Sequence, residues 1–305
     1  MEKVALVVVG PTCSGKTTLG IELARLVGGE VISADSRQFY KFLDIGTAKP
    51  TEEEQAIVKH HLVDFIEPDV DYNVSRFEDD ALIIAQKLFS ENKIPVFVGG
   101  SGLYIQAIVD GLFTEIETDM EYRDYLMALR EKFGNSHIHG ILKEVDSVSA
   151  EKMLPQNWKR IMRALEVYHI SGEPIWKFHE SHKREIDIKF IQYGLEWDRK
   201  VLYENIDNRV EEMIEAGLVD EIKQIFKMGY SKSINSLNTV GYKELISFLE
   251  DEISLERAVE LIKRNTRRYA KRQMTWFRKD DRINWLKVGS RKDILKSAAK
   301  IATEF

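Results

Sequence analysis

The stretch Val4–Thr18, VALVVVGPTCSGKTT, constrains this chain more than any other. A Val-rich apolar run breaks at Gly10 and enters G-P-T-C-S-G-K-T, which fits G-x-x-x-x-G-K-[ST]. The pattern predicts a buried strand (Val4–Val9), a phosphate loop and a helix (Thr18–Leu26). In the loop of Gly10, Pro11, Thr12, Cys13, Ser14 and Gly15, the glycines let backbone N–H groups converge on a polyphosphate, where the helix N-terminus adds positive potential. Lys16 is expected to reach the terminal phosphate oxygens, and the Thr17 hydroxyl to ligate Mg²⁺. A diphosphate or triphosphate is implied; the reaction is left open.

Around this loop the sequence reads as a P-loop-type, doubly wound α/β fold with a parallel sheet. Further strands are expected at Glu30–Ser33, His61–Ile66 and Ile94–Val98. Between the last two, Phe77, Ala81, Ile84, Ala85 and Leu88 line one face of a helix over Ser75–Ser90. Ligands on such sheets sit at the carboxyl ends of the strands. From about Thr114 to His182 strand-like runs vanish, and helical patterns appear at Met120–Phe133, Ile138–Glu144 and Lys159–Ile170. Lys189–Glu196 restores a strand. Helices at Val201–Ala216, Leu218–Lys227, Tyr242–Leu249 and Leu255–Phe277 follow, with a short strand at Ile283–Leu286. The expected division is a core of residues 1–113 and 189–290, a helical insertion over 114–188 and a tail helix over 291–305.

Three features could carry chemistry or binding. Asp35 ends the second strand nineteen residues past Lys16, where a carboxylate can ligate Mg²⁺ through water, act as a general base, or simply cap a turn. Ser101 follows the fourth strand in G-G-S-G-L-Y and can contact phosphate or cap a helix. The third is electrostatic. The chain has a net charge of −6, yet Arg257–Arg282 holds ten Lys/Arg against three acids, so the remainder sums to −13. On that helix Lys263, Arg267 and Lys271 form one i,i+4 row and Arg264, Arg268 and Arg272 a second, with no acid within either row. A solvated charged face is one reading; phosphate-backbone binding is the favoured one.

Other classes are excluded or disfavoured. The only cysteine is Cys13, so a disulfide framework is excluded and a reducing, cytoplasmic setting fits. No apolar run approaches the roughly 18 residues of a membrane span, and no secretory signal is recognised. His179 and His182 in H-E-S-H lack the H-E-x-x-H spacing, and no cysteine cluster accompanies them, so zinc is not expected. Nothing in the helices demands a dimer or an obligate protein partner.

Seven blocks occur in a familiar order: G-P-T-C-S-G-K-T (10–17), D-S-R-Q-F-Y with D-I-G-T-A-K-P (35–40 and 44–50), H-H-L-V-D (60–64), G-G-S-G-L-Y (99–104), R-A-L-E-V (163–167), V-G-Y-K-E (240–244) and Y-A-K-R-Q-M-T-W-F-R (269–278). With them the chain resembles bacterial tRNA dimethylallyltransferases over nearly its whole length. The resemblance implies transfer of a dimethylallyl group from dimethylallyl diphosphate, with Mg²⁺, to N6 of adenosine 37 in tRNAs reading codons that begin with U. It implies Asp35 as the general base on N6, with Lys16, Thr17, Arg163 and Arg209 at the pyrophosphate and Ser101 on diphosphate or tRNA. It implies RNA contacts from Asp35, Ser36, Arg37 and Gln38, from Arg123, Arg160 and Arg163 of the insertion, from Gly241 and Lys243, and from Arg264, Arg268, Lys271 and Arg272, together gripping the anticodon stem-loop. Pro155-Gln156-Asn157 and Tyr72-Asn73 depart from the commoner Pro-Asn-Asp and Tyr-Ser, and the Cys/His cluster of eukaryotic relatives is absent. The alternatives are an adenylate isopentenyltransferase, a P-loop kinase or NTPase, and a tRNA-binding protein without catalysis.

Overall fold

Apolar alternation along the first strand sets the architecture. In the computed structural model, which describes residues 2–112, 116–181 and 186–305, β1 (Val4–Val9) sends Ala5, Val7 and Val9 into one core and Leu6 and Val8 into another. Successive side chains of a strand point to opposite faces, so a run that is apolar throughout must be covered on both. The chain continues through α1 (Lys16–Val27), β2 (Glu30–Ser33), α2 (Glu52–Ile57), β3 (His60–His61), α3 (Val74–Ser90), β4 (Pro95–Gly99) and α4 (Gly102–Asp110). There follow α5 (Met120–Phe133), α6 (Asn135–Val145), α7 (Ser147–Glu151), α8 (Trp158–Ser171) and α9 (Ile175–Ser181). The last segment comprises β5 (Lys189–Glu196), α10 (Arg199–Glu215), α11 (Leu218–Lys227), α12 (Tyr242–Leu249), α13 (Leu255–Phe277), β6 (Ile283–Lys287) and α14 (Arg291–Ala302).

The six strands form one parallel sheet in the order β3-β2-β4-β1-β5-β6. In the centre, Val7 of β1 lies between Phe97 of β4 and Gln192 of β5. Phe77, Ile105, Ile222, Leu245 and Ile262 cover one face, and Leu19, Leu23, Ile294 and Ala298 cover the other. The chain divides into two compact units, Met1–Val109 with Ile186–Phe305, and Asp110–Glu185. Among the described residues no helix is long and apolar enough to cross a membrane.

One expected strand is cut short. Of the expected His61–Ile66 only His61 lies in β3 (His60–His61), with an isolated bridge from Ile66 to Tyr40. Leu62 and Asp64 adopt left-handed backbone, φ +57° and +56°, and that conformation cannot continue a strand. The aspartate that turns the chain away also anchors Lys49, whose buried ammonium joins Asp64 at 2.6 Å, the Tyr40 carbonyl at 2.9 Å and Asp44.

The second unit has its own core of Leu126, Ile138, Leu142, Ile161 and Leu165. Its polar centre is Glu166, which is fully buried. The carboxylate accepts from Arg123 Nε at 2.7 Å, from Arg163 at 2.5 Å and from the Asp119 N–H at 3.0 Å. Two guanidiniums and an amide compensate a buried charge that would be strongly unfavourable alone.

Candidate active site

The phosphate loop after β1 meets its neighbours at the carboxyl ends of β2, β4 and β5. Gly15 closes it at φ +84°, and a Cβ there would lie 2.5 Å from Ile294 of α14, so both backbone and packing call for glycine. Cys13 is also left-handed, at φ +61°. From the end of β5, Trp197 Nε1 donates to the Ser14 carbonyl at 2.9 Å.

Lys16 donates to the Pro11 carbonyl at 2.7 Å. Burial drives its pKa down to about 8, the nearby Asp35 carboxylate opposes the shift, and Arg209 adds to it. Asp35 is shifted the other way: burial raises its pKa, against the Arg37 N–H at 2.9 Å and the positive Lys16. Burial thus disfavours the charged form of both neighbours, and an anion bound at the loop would favour the charged form of Lys16. Arg209 of α10 has no hydrogen-bond or ion-pair partner among the described residues, so its donors are available to an anion.

Two cavities meet here. One, of about 350 Å³, is polar and contains Gly15, Lys16, Thr17 and Thr18. The other, of about 240 Å³, has an apolar wall of Ile206, Val210, Met213, Val240, Ile262 and Tyr269. Asp35 and Arg209 line both. The arrangement can therefore hold a phosphate group beside an apolar one, with a carboxylate at the junction. Thr17 and Asp35 offer a hydroxyl and a carboxylate, oxygen donors suited to a hard cation held chiefly by phosphate and water. Among the described residues no three His, Cys, Asp or Glu cluster as metal ligands. His182 lies outside the described residues.

The IPP transferase family model matches residues 38–280, and the isopentenyl transferase model matches residues 3–69. The chain belongs to the IPP transferase family. It is 47% identical to a tRNA dimethylallyltransferase of Acetivibrio thermocellus, over 92% of this chain and 90% of that one. It is 42% identical to that of Carboxydothermus hydrogenoformans over 100% and 98%. Among solved structures, the full-length tRNA isopentenylpyrophosphate transferase of Bacillus halodurans matches with a TM-score of 0.73 at 37% identity, covering 100% of this chain and 97% of that one. A eukaryotic dimethylallyltransferase acting on tRNA matches with a TM-score of 0.82 at 28% identity, covering 98% and 77%.

In this IPP transferase the residues singled out in the sequence fall into distinct settings. Ser101 does more than precede α4: its hydroxyl accepts from the Ser36 N–H at 3.1 Å and lies near the Tyr269 phenol. Gln38 is engaged internally, donating to the Ala48 carbonyl at 3.0 Å and accepting from Ser33 at 3.0 Å. Arg37 donates to the Asn235 carbonyl at 2.8 Å. Gly241 lines the apolar cavity and precedes α12, on which Lys243 is exposed. In the second unit Arg160 is exposed, whereas Arg163 is engaged by Glu166 and the Ile116 and Glu117 carbonyls.

The two cationic rows of α13 are not equivalent. Lys263 pairs with Glu211 and Arg267 with Asp207, both from α10, so most of the first row is neutralised by a neighbouring helix. Arg268 and Lys271 have no partner among the described residues, and Arg272 lies over the Tyr269 ring at 5.6 Å. With Thr275, Trp276 and Lys279 these three line an open groove of about 530 Å³.

Two supporting residues had weak sequence signals. Glu221 looks like any exposed acid of an amphipathic helix, yet it accepts from the N–H groups of Asp44, Ile45 and Gly46 at 2.9, 2.6 and 3.2 Å and from Tyr242 at 2.6 Å. It holds the loop that brings Thr47 and Ala48 to the cavities. Glu221→Ala is expected to cost about 2–3 kcal/mol in urea unfolding, because several amides and a buried phenol lose their acceptor together. The other residue is Gln273, whose signal was a polar side chain on the packing face of α13.

Proposed function

We propose that this protein transfers the dimethylallyl group of dimethylallyl diphosphate to N6 of adenosine 37 in tRNAs reading UNN codons, releasing pyrophosphate. The observation that carries the reading is Asp35 at the junction of the phosphate-loop cavity and the apolar cavity. The diphosphate occupies the loop, where backbone amides, Lys16 and Arg209 neutralise charge that grows as the allylic C–O bond breaks. The apolar wall excludes water from the prenyl carbon, which hydroxide or water would otherwise consume. N6 attacks that carbon, a C–N bond replaces the C–O bond, and Asp35 accepts the N6 proton. Mg²⁺, held through Thr17 and the substrate, would supply further neutralisation of the leaving group.

The unpaired cations of α13 then serve the anticodon stem-loop. Each phosphate neutralised releases counterions and steepens the salt dependence of binding. Arg268→Ala is expected to lower the slope of log K against log [salt] by roughly one and to leave dimethylallyl diphosphate affinity unchanged. An unaltered slope in a salt titration of stem-loop binding would make this helix face merely solvated.

The overall reading is tested by offering labelled dimethylallyl diphosphate and Mg²⁺ to a stem-loop with A36-A37-A38 and, separately, to AMP. Label in the RNA alone is expected. Label in AMP alone would make the chain an adenylate isopentenyltransferase, and label in neither would reopen the NTPase reading.

A further inference from the structure

Gln273 sits on the packed face of α13 between Tyr269 and Trp276 and is only 6% exposed. Both ends of its amide are engaged. Oε1 accepts from the Thr12 N–H at 2.8 Å, and Nε2 donates to the Gly100 carbonyl at 2.8 Å. The partners fix the orientation of the amide, because the flipped form would set donor against donor and acceptor against acceptor. Thr12 belongs to the phosphate loop after β1, and Gly100 to the glycine-rich turn after β4. One side chain of the basic helix thus ties together the two turns that border the cleft.

Its neighbours reinforce the junction. Tyr269 reaches Ser101, and Trp276 packs so closely that a Cβ on Gly102 would lie 2.3 Å from its ring. The surface of the same helix presents Arg268, Lys271 and Arg272.

We propose that Gln273 is a positioning residue of the diphosphate site: it holds the Thr12 peptide facing out of the phosphate loop, so that the amides beyond Cys13 stay open to the anion. Without an acceptor at Gln273, the half-buried Thr12 N–H loses its partner, and the carbonyls of the loop itself compete to supply another. Conformers that satisfy that amide internally compete with the anion-binding one, and the apparent affinity falls by the fraction of loop still competent. The inference rests on the reading of the loop as the prenyl-diphosphate site.

Two independent lesions test it in steady-state transfer to a stem-loop RNA. Gln273→Met keeps length and apolar volume but can neither accept from Thr12 nor donate to Gly100. Gly100→Ala leaves Gln273 in place but puts a Cβ 2.4 Å from its Nε2, displacing the same amide. Each is expected to raise KM for dimethylallyl diphosphate about tenfold, with KM for RNA and kcat changed by less than about threefold. Because both break one interaction, the double variant should also lose about tenfold, not a hundredfold. Multiplicative losses, or losses falling on RNA KM or kcat, would overturn the assignment. Should Gln273→Met fail to fold, an unchanged diphosphate KM in Gly100→Ala overturns it and a raised one supports it. A wild-type protein that labels no RNA would defeat the functional reading instead, which separates the two failures.

Discussion

Asp35→Asn is expected to lower kcat by about 10²–10⁴-fold while stem-loop affinity stays near wild type. Asparagine has the same shape, and its oxygen can still accept the Arg37 N–H that Asp35 Oδ1 accepts at 2.9 Å. It cannot take a proton from an amine. The variant also removes the negative charge that supports a charged Lys16, so the Lys16 pKa falls further below about 8 and KM for the diphosphate rises modestly. Separating kcat at saturating diphosphate from that KM isolates the proton transfer. In the wild type, Asp35 must be ionised to act as base, and burial raises its pKa, so kcat/KM should fall on the acid side of the profile. Asp35→Asn should lack that acid limb. Near-wild-type turnover in the variant would remove Asp35 from the mechanism.

Lys16→Met carries the second large effect, a loss of about 10²–10³-fold in kcat/KM, the range seen when one charge-stabilising donor is removed from a reacting centre. Lys16 is desolvated and donates to a loop carbonyl, and among the described residues it has no ion-pair partner at hydrogen-bond distance. The sign of the pH effect follows. A lysine with its pKa depressed to about 8 is increasingly neutral above that pH, whereas the bound diphosphate requires it charged. Affinity for a diphosphate should therefore be level below pH 8 and weaken by up to about tenfold per unit above it, with proton uptake on binding. In Lys16→Met this alkaline limb should vanish. Calorimetry with inorganic pyrophosphate in buffers of different ionisation enthalpy reads the proton uptake directly, and its absence in the wild type would contradict the depressed pKa.

Local periodicity carried much of this molecule in its sequence. Val4–Val9, Glu30–Ser33 and Lys189–Glu196 form strands over the ranges their apolar runs imply, and Met120–Phe133, Leu218–Lys227, Tyr242–Leu249 and Leu255–Phe277 are helices over the expected bounds. Those signals are short-range: a period of 2 or 3.6, a glycine, a cap. The phosphate loop is legible for the same reason, since its chemistry resides in consecutive residues. His61–Ile66 failed as a strand because its apolar pattern says nothing of the left-handed φ at Leu62 and Asp64, which long-range contacts hold.

Charge and hydrogen bonding behaved differently. Two rows on α13 look alike in sequence, yet α10 supplies Glu211 and Asp207 to Lys263 and Arg267 of the first, while Lys271 of that row and Arg268 of the second have no partner among the described residues. Likewise Arg163 reads as an available cation until the Ile116 and Glu117 carbonyls, 47 and 46 positions away, close on it, and Gln273 reads as packing until Thr12 and Gly100, more than 170 positions away, close on its amide. The sequence by itself determined the strands of the parallel sheet and the phosphate loop, because each is written in neighbouring residues, and it left Asp35 open between metal ligand, base and cap. Only the tertiary structure decided which cations remain unpaired and which polar groups brace the loop, because partners for charges and amides are chosen by distance in space.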